Sequence, residues 1–195
     1  MLPEQLNPSA IPDNQLTIPH CKELLSRLQT WLQEQFMAQE DVLELVAARS
    51  EFTDQLLTRL WQKFGLDKHA SLALIAVGGY GRAELHPYSD IDILILSQKN
   101  ITPAQGETVS QFLTLLWDLR LDIGHAVRSL KECTQQGKED ITVATNLLES
   151  RLICGSVATF NGLQELLQPS KFWPSDAFFR AKREEQLLRH QQFQD

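Results

Sequence analysis

Asp90 and Asp92 stand two residues apart in the run Ser89-Asp90-Ile91-Asp92-Ile93-Leu94-Ile95-Leu96. Residues two apart on an extended strand point to the same face. Both carboxylates then project together, while Ile91 and Ile93 point the other way. Two anions beside an apolar core repel each other and resist burial unless a cation stands between them. Hard oxygen donors of this kind suit Mg²⁺, which takes one or two carboxylates and completes its shell with waters and substrate phosphates.

Gly78, Gly79 and Gly81 follow the apolar run Leu72 to Val77. Glycine tolerates positive φ and lets backbone come close to a ligand. Amides exposed in such a turn can cradle phosphate oxygens. A phosphate cradle beside paired metal carboxylates is equipment for nucleotidyl transfer, where the metal neutralises a triphosphate and helps diphosphate leave. Taken alone, the glycines would serve as a tight turn and Asp-Ile-Asp as a solvated sheet face. The joint order decides between these readings. An apolar strand, Gly-Gly, ten residues from Tyr80 to Ser89, and Asp-x-Asp opening a very apolar strand fit a metal-dependent site better than two unrelated coincidences.

The elements around this centre follow from periodicity. Residues 1–19, with Pro3, Pro8, Pro12 and Pro19, read as a flexible leader. Residues 20–66 read as an N-terminal helical segment, with apolar stripes at Leu24, Leu28, Trp31 and again at Leu56, Leu57, Leu60, Trp61. Arg49 and Arg59 on it read as solvated or ion-paired. Residues 67–170 form the expected catalytic core. It holds a strand over about 71–77, the glycine loop, a strand over about 91–97, a helix from Pro103 to Leu119 capped by Thr102, and a strand from Leu121 to Ser129. Asp140 to Cys154 reads as one helix and Val157 to Leu167 as another. Residues 171–195 begin a further helical region whose stripe, Leu187, Leu188 and Phe193, still runs near Asp195, so the chain reads as truncated within an element. The expected fold class is α/β (α+β): a small mixed sheet with flanking helices.

The Gly-Gly and Asp-x-Asp pattern resembles the nucleotidyltransferase superfamily that includes polymerase beta. The stretches Gly78 to Asp92, Trp117-Asp118 with Ile123 to Arg128, and Asp140 to Arg151 are together similar to the bacterial PII uridylyltransferases. The likeness runs from about Arg49 onward, through Phe172-Trp173-Pro174-Ser175. One departure is Ala83, where that family commonly has glycine; alanine is a mild change unless the position needs positive φ. The resemblance implies a polymerase beta-like fold, Mg²⁺, and transfer of UMP from UTP to a tyrosine of the PII signal protein of nitrogen control. A phosphohydrolase domain that removes the uridylyl group, and two ACT domains, are expected to be missing from this chain. Adenylyl transfer to a protein, or nucleotide binding without catalysis, are the competing readings.

Further candidate site residues lie around this centre. Many members of the superfamily use a third carboxylate from a neighbouring strand. Asp122 is the nearest candidate, with Asp118 and Asp140 as alternatives, Asp140 serving more simply as a helix cap. Arg128 is a candidate phosphate contact, since guanidinium binds phosphate in a bidentate way. Arg82 is a triphosphate contact or an ion pair to Glu84, and Ser89 a phosphate donor or a turn residue. His125 reads as structural.

Bulk properties narrow the class. The chain has 195 residues, 43% of them hydrophobic, enough for one domain with attached helices. A net charge of −7 argues against a protein that coats nucleic acid. Cys21, Cys133 and Cys154 show no metal spacing and suit reduced thiols in a cytoplasmic protein. No apolar run approaches membrane-span length.

Overall fold

A computed structural model describes residues 2–193, without the side chains of 189–193. The chain opens with three short 3-10 turns, Glu4–Leu6, Pro8–Ala10 and Asp13–Gln15. There follow α1 (Ile18–Met37), α2 (Val42–Lys63), β1 (Leu72–Ala76), the single-turn α3 (Gly78–Gly81) and β2 (Ile91–Ser97). Next come α4 (Pro103–Asp118), β3 (Ile123–Ser129), α5 (Leu130–Glu139), α6 (Ile141–Leu148), β4 (Arg151–Gly155), α7 (Val157–Leu166) and α8 (Ser175–Phe193). The result is the mixed α/β architecture expected, with strand order β3-β2-β1-β4.

Local chemistry sets the boundaries. Thr102 and Gln105 form a reciprocal capping box at α4, with Pro103 in its first turn, and Ser129 and Glu132 form another at α5. Asp140 caps α6 by accepting from the Thr142 and Val143 amides, and Ser156 caps α7. The α2 helix stops before Gly65, whose φ of +66° suits glycine.

The sheet is buried on both faces where β1 and β2 run, which explains their nearly unbroken apolar sequence. β2 pairs antiparallel with β1 and parallel with β3, and α4 supplies the crossover that a parallel pair requires. Leu74, Ala76, Ile91, Ile93 and Ile95 meet Phe52, Trp61 and Phe112 on the side of α1, α2 and α4. Ala73, Ile75, Leu94 and Leu96 meet Cys133, Ala144, Leu147 and Leu163 on the side of α5, α6 and α7.

The structure departs from the sequence reading in two places. Residues 1–19, expected as a flexible leader, bury Leu6, Ile11 and Leu16 in the first of these cores. Arg59 donates to the Ile11 carbonyl and pairs with Asp13, and Lys63 donates to the Leu16 carbonyl. The prolines shape turns, and three apolar residues at five-residue intervals do the anchoring. The helix expected over 140–154 ends at Leu148; Arg151–Gly155 is a strand that covers the second edge of β1. Pairing of that edge outweighs helical periodicity in a short apolar run. Within the N-terminal helical segment, Gln39, with φ of +63°, turns the chain between α1 and α2. At the C-terminus, the side chain of Phe193 lies outside the described residues, while Leu187 and Leu188 are exposed.

Candidate active site

The site lies where β1 ends and β2 and β3 begin. The two strand pairings bring the ends of these elements together. Val77 N–H donates to the Asp92 carbonyl at 3.0 Å, so the glycine turn starts beside the second aspartate. Ile91 N–H donates to the Asp122 carbonyl at 2.8 Å, which lays Asp122 next to Asp90. Ile91 and Ile93 enter the core on one face, so Asp92 points to the face that carries α6.

Two glycines leave room for the Asp92 carboxylate. A Cβ on Gly124, its partner in β3, would clash with Asp92 Oδ1. A Cβ on Gly78 would stand 3.6 Å from Asp92 Oδ2 and 3.4 Å from Asn146 Oδ1. Gly78 also has φ of +59°, a conformation that favours glycine. The N–H groups of Gly78, Gly79 and Tyr80 open a helical turn and have no acceptor among the described residues.

The turn is clamped from behind. Arg151 forms a bidentate pair with Asp54 at 2.6 and 3.2 Å and donates to the carbonyls of Tyr80 and Gly81. Tyr80, buried under that guanidinium, donates its hydroxyl to Asp54 at 2.6 Å. Burial first, and the Asp54 charge second, push the Tyr80 phenol well above its ordinary pKa, so it stays protonated as the donor. Arg49 donates to the carbonyls of Leu85 and His86, and Ser50 accepts from the Leu85 amide. The loop between the glycines and the aspartates is thereby tied to α2 at both of its halves.

Electrostatics single out Asp92. Burial first, and the neighbouring Asp90 charge second, raise its carboxyl above the usual carboxylate range. Neither aspartate has an ion-pair partner among the described residues. Two close carboxylates, one half-buried, with no cation beside them fit a divalent metal of the Mg²⁺ kind. No group of three or more His, Cys, Asp and Glu side chains placed to hold a metal occurs among the described residues, so Asp122 is near in register without joining such a cluster.

The other candidates separate. Arg82 pairs with Glu84 at 2.9 Å and with Glu149 at 2.8 Å, so the ion-pair alternative is the one seen. Ser89 donates its hydroxyl to the His86 carbonyl at 2.8 Å and holds the turn. Arg128 shares the Asp92 face of the sheet but lies four residues further along β3 than Gly124, about 13 Å at strand rise. The structure does not gather it with the aspartates. His125 packs edge-on against Trp117, and Asp140 caps α6. Sequence reasoning gave no role to Asp54, Asn146 or Glu149. Asn146 offers a faint signal, a carboxamide beside Leu147 on a capped helix; Asp54 offers none, since its partner lies 97 residues away.

Residues 26–126 match the family described as "Putative nucleotidyltransferase DUF294". The chain is 51% identical over 188 residues to the bifunctional uridylyltransferase/uridylyl-removing enzyme of Vibrio atlanticus, a match covering 96% of this chain and 22% of that protein. Proteins of the same name from Vibrio cholerae and Photobacterium profundum are 48% and 47% identical over 189 residues, covering 97% of this chain and 22% of each. The chain thus spans about a fifth of the length of these relatives.

Proposed function

This chain belongs to the nucleotidyltransferase family DUF294, and we propose that it carries the uridylyl-transferring site of a PII-modifying enzyme. It would move UMP from UTP to a tyrosine hydroxyl of PII and release diphosphate. The observation that carries this reading is the Asp90–Asp92 pair opposite the glycine turn, free of protein cations. Uridylyl transfer as the chemistry rests on the similarity to uridylyltransferases. UTP and PII follow from the motif resemblance.

Asp90 and Asp92 would hold Mg²⁺. When bound, the metal neutralises the triphosphate and favours ionisation of the attacking hydroxyl. Gly78 and Gly79 let phosphate oxygens approach free N–H groups that a side chain would screen. Arg82, half-exposed at the rim, can exchange Glu84 and Glu149 for a phosphate, to which guanidinium binds in a bidentate way. The phenol oxygen of the acceptor bonds to the α-phosphorus while the bond from that phosphorus to the β-bridging oxygen breaks. The leaving diphosphate takes the electron pair. Asp122, beside Asp90 in register, is the carboxylate we assign to take the phenolic proton. Arg128 remains a phosphate contact only for a substrate that reaches along β3.

No helix among the described residues is long and apolar enough to cross a membrane, and the three cysteines are free. Free cysteines suit a cytoplasmic protein. The test is incubation of the chain with UTP or ATP, Mg²⁺ and purified PII, read by intact mass. UMP addition to PII from UTP is expected. Addition from ATP alone would mean adenylyl transfer, and nucleotide binding without any product would mean a binding module.

A further inference from the structure

We propose that Asn146 is an additional oxygen donor of the metal site, on a side chain that no motif assigns. The inference rests on the metal reading of Asp90 and Asp92. Its observation is the small space left by Gly78. Asp92 Oδ2 and Asn146 Oδ1 face that space at 3.6 and 3.4 Å from where a Cβ would be. Two oxygens converge there, and neither accepts a hydrogen bond from a protein group among the described residues. Asn146 is half-buried, and its carboxamide makes no hydrogen bond among the described residues. Its neighbours are accounted for: Ala144 and Leu147 are buried in the core, and Thr145 donates to the Ile141 carbonyl. Those two apolar anchors and the Asp140 cap fix how α6 is rotated, and that rotation aims Asn146 at the glycine turn.

A neutral oxygen donor has a physical advantage here. Asp92 is half-buried and already faces the charge of Asp90. A third full negative charge would deepen that repulsion whenever the metal is away, while a carboxamide supplies a ligand without one. Mg²⁺ keeps several waters. Asn146 can therefore serve by accepting from a metal-bound water or by binding the ion directly. The rival role has the opposite polarity, with the carboxamide donating N–H to Asp92 and merely orienting it.

The experiment uses the whole metal-free chain and Mn²⁺ as probe, with free Mn²⁺ read by electron paramagnetic resonance. Thermal melting without metal controls for folding. Asn146→Ala should melt as the parent does and bind Mn²⁺ about tenfold more weakly, the range seen when groups supporting a metal site are removed. Asn146→Asp should bind Mn²⁺ at least as tightly as the parent, because a carboxylate is the stronger oxygen donor. Weaker binding in both variants would overturn the proposal in favour of an N–H donor to Asp92. Parent-like binding in Asn146→Ala would overturn it outright. Asp92→Asn separates the two levels. If it too keeps the parent's Mn²⁺ affinity, the metal reading of the aspartate pair falls, and this inference with it. If it loses Mn²⁺ while Asn146→Ala does not, only Asn146 is excluded.

Discussion

Gly124 lies against the Asp92 carboxylate across the parallel β2–β3 pairing, close enough that a single added methyl would clash with Oδ1. The glycine is thus part of how the aspartate is aimed. A carboxylate is the free end of a side chain, so Gly124→Ala should move Asp92 rather than break the sheet. The expected outcome is a loss of transfer of at least tenfold with a melting temperature within a few degrees of the parent. Turnover measured beside thermal melting checks it, and parent-like turnover would show that Asp92 need not occupy this position.

Asp92→Asn should abolish transfer and yet not weaken the fold near neutral pH. The sign follows from the raised carboxyl. Its folded pKa lies above the unfolded one, so the group favours folding most at pH below the unfolded value, and that contribution is lost as pH rises through the folded value. At pH 7 the charge is a burden that asparagine removes. Melting of the metal-free variant at pH 7 should equal or exceed that of the parent, and the gap should close toward pH 4. Mg²⁺ should raise the melting temperature of the parent and leave Asp92→Asn unmoved. A variant that melts clearly lower at pH 7 would mean the carboxylate is structural.

The pattern that marks the candidate site was legible because it is local. Gly78, Gly79, Asp90 and Asp92 fall within fifteen residues, and strand alternation alone places both carboxylates on one face. The sheet strands β1 and β2 were legible for a similar reason, since burial on both faces leaves an unbroken apolar run. What stayed hidden depends on partners far along the chain. Arg151 reads as a helical residue until β1 is seen to need a second neighbour, and its bond to Asp54 spans 97 residues. Leu6, Ile11 and Leu16 read as leader because proline and asparagine around them suggest turns, and nothing local says that α2 offers Arg59 and Lys63 to hold those turns down. Arg82 was left between two roles by its sequence neighbours, and the structure added Glu149 as a second partner.

Ala83 occupies the left-handed region with φ of +61°. An L-residue with a Cβ pays roughly 1–2 kcal/mol there, against about 0.5–1 kcal/mol of extra chain entropy lost by glycine on folding. Ala83→Gly should therefore stabilise the protein by about 0.5–1 kcal/mol without changing contacts. Chemical denaturation gives the answer directly. Unchanged or reduced stability would mean that the loop relaxes around alanine in solution.

Arg82 is held by two carboxylates at the rim, and its guanidinium is about half exposed. Exposed pairs of this kind contribute on the order of 0–1 kcal/mol, so Arg82→Ala should leave the melting temperature nearly unchanged. If Arg82 also meets the triphosphate, the same change should raise the KM for nucleotide by roughly tenfold, the worth of one charge-assisted contact. Glu149→Gln supplies the opposite arm. It frees the guanidinium from one partner, so nucleotide should bind at least as tightly as in the parent. Calorimetry with a triphosphate and Mg²⁺ on both variants decides the matter. Weakening by Arg82→Ala together with no weakening by Glu149→Gln assigns Arg82 to the substrate. Nucleotide affinity untouched in Arg82→Ala confines it to the ion pairs with Glu84 and Glu149.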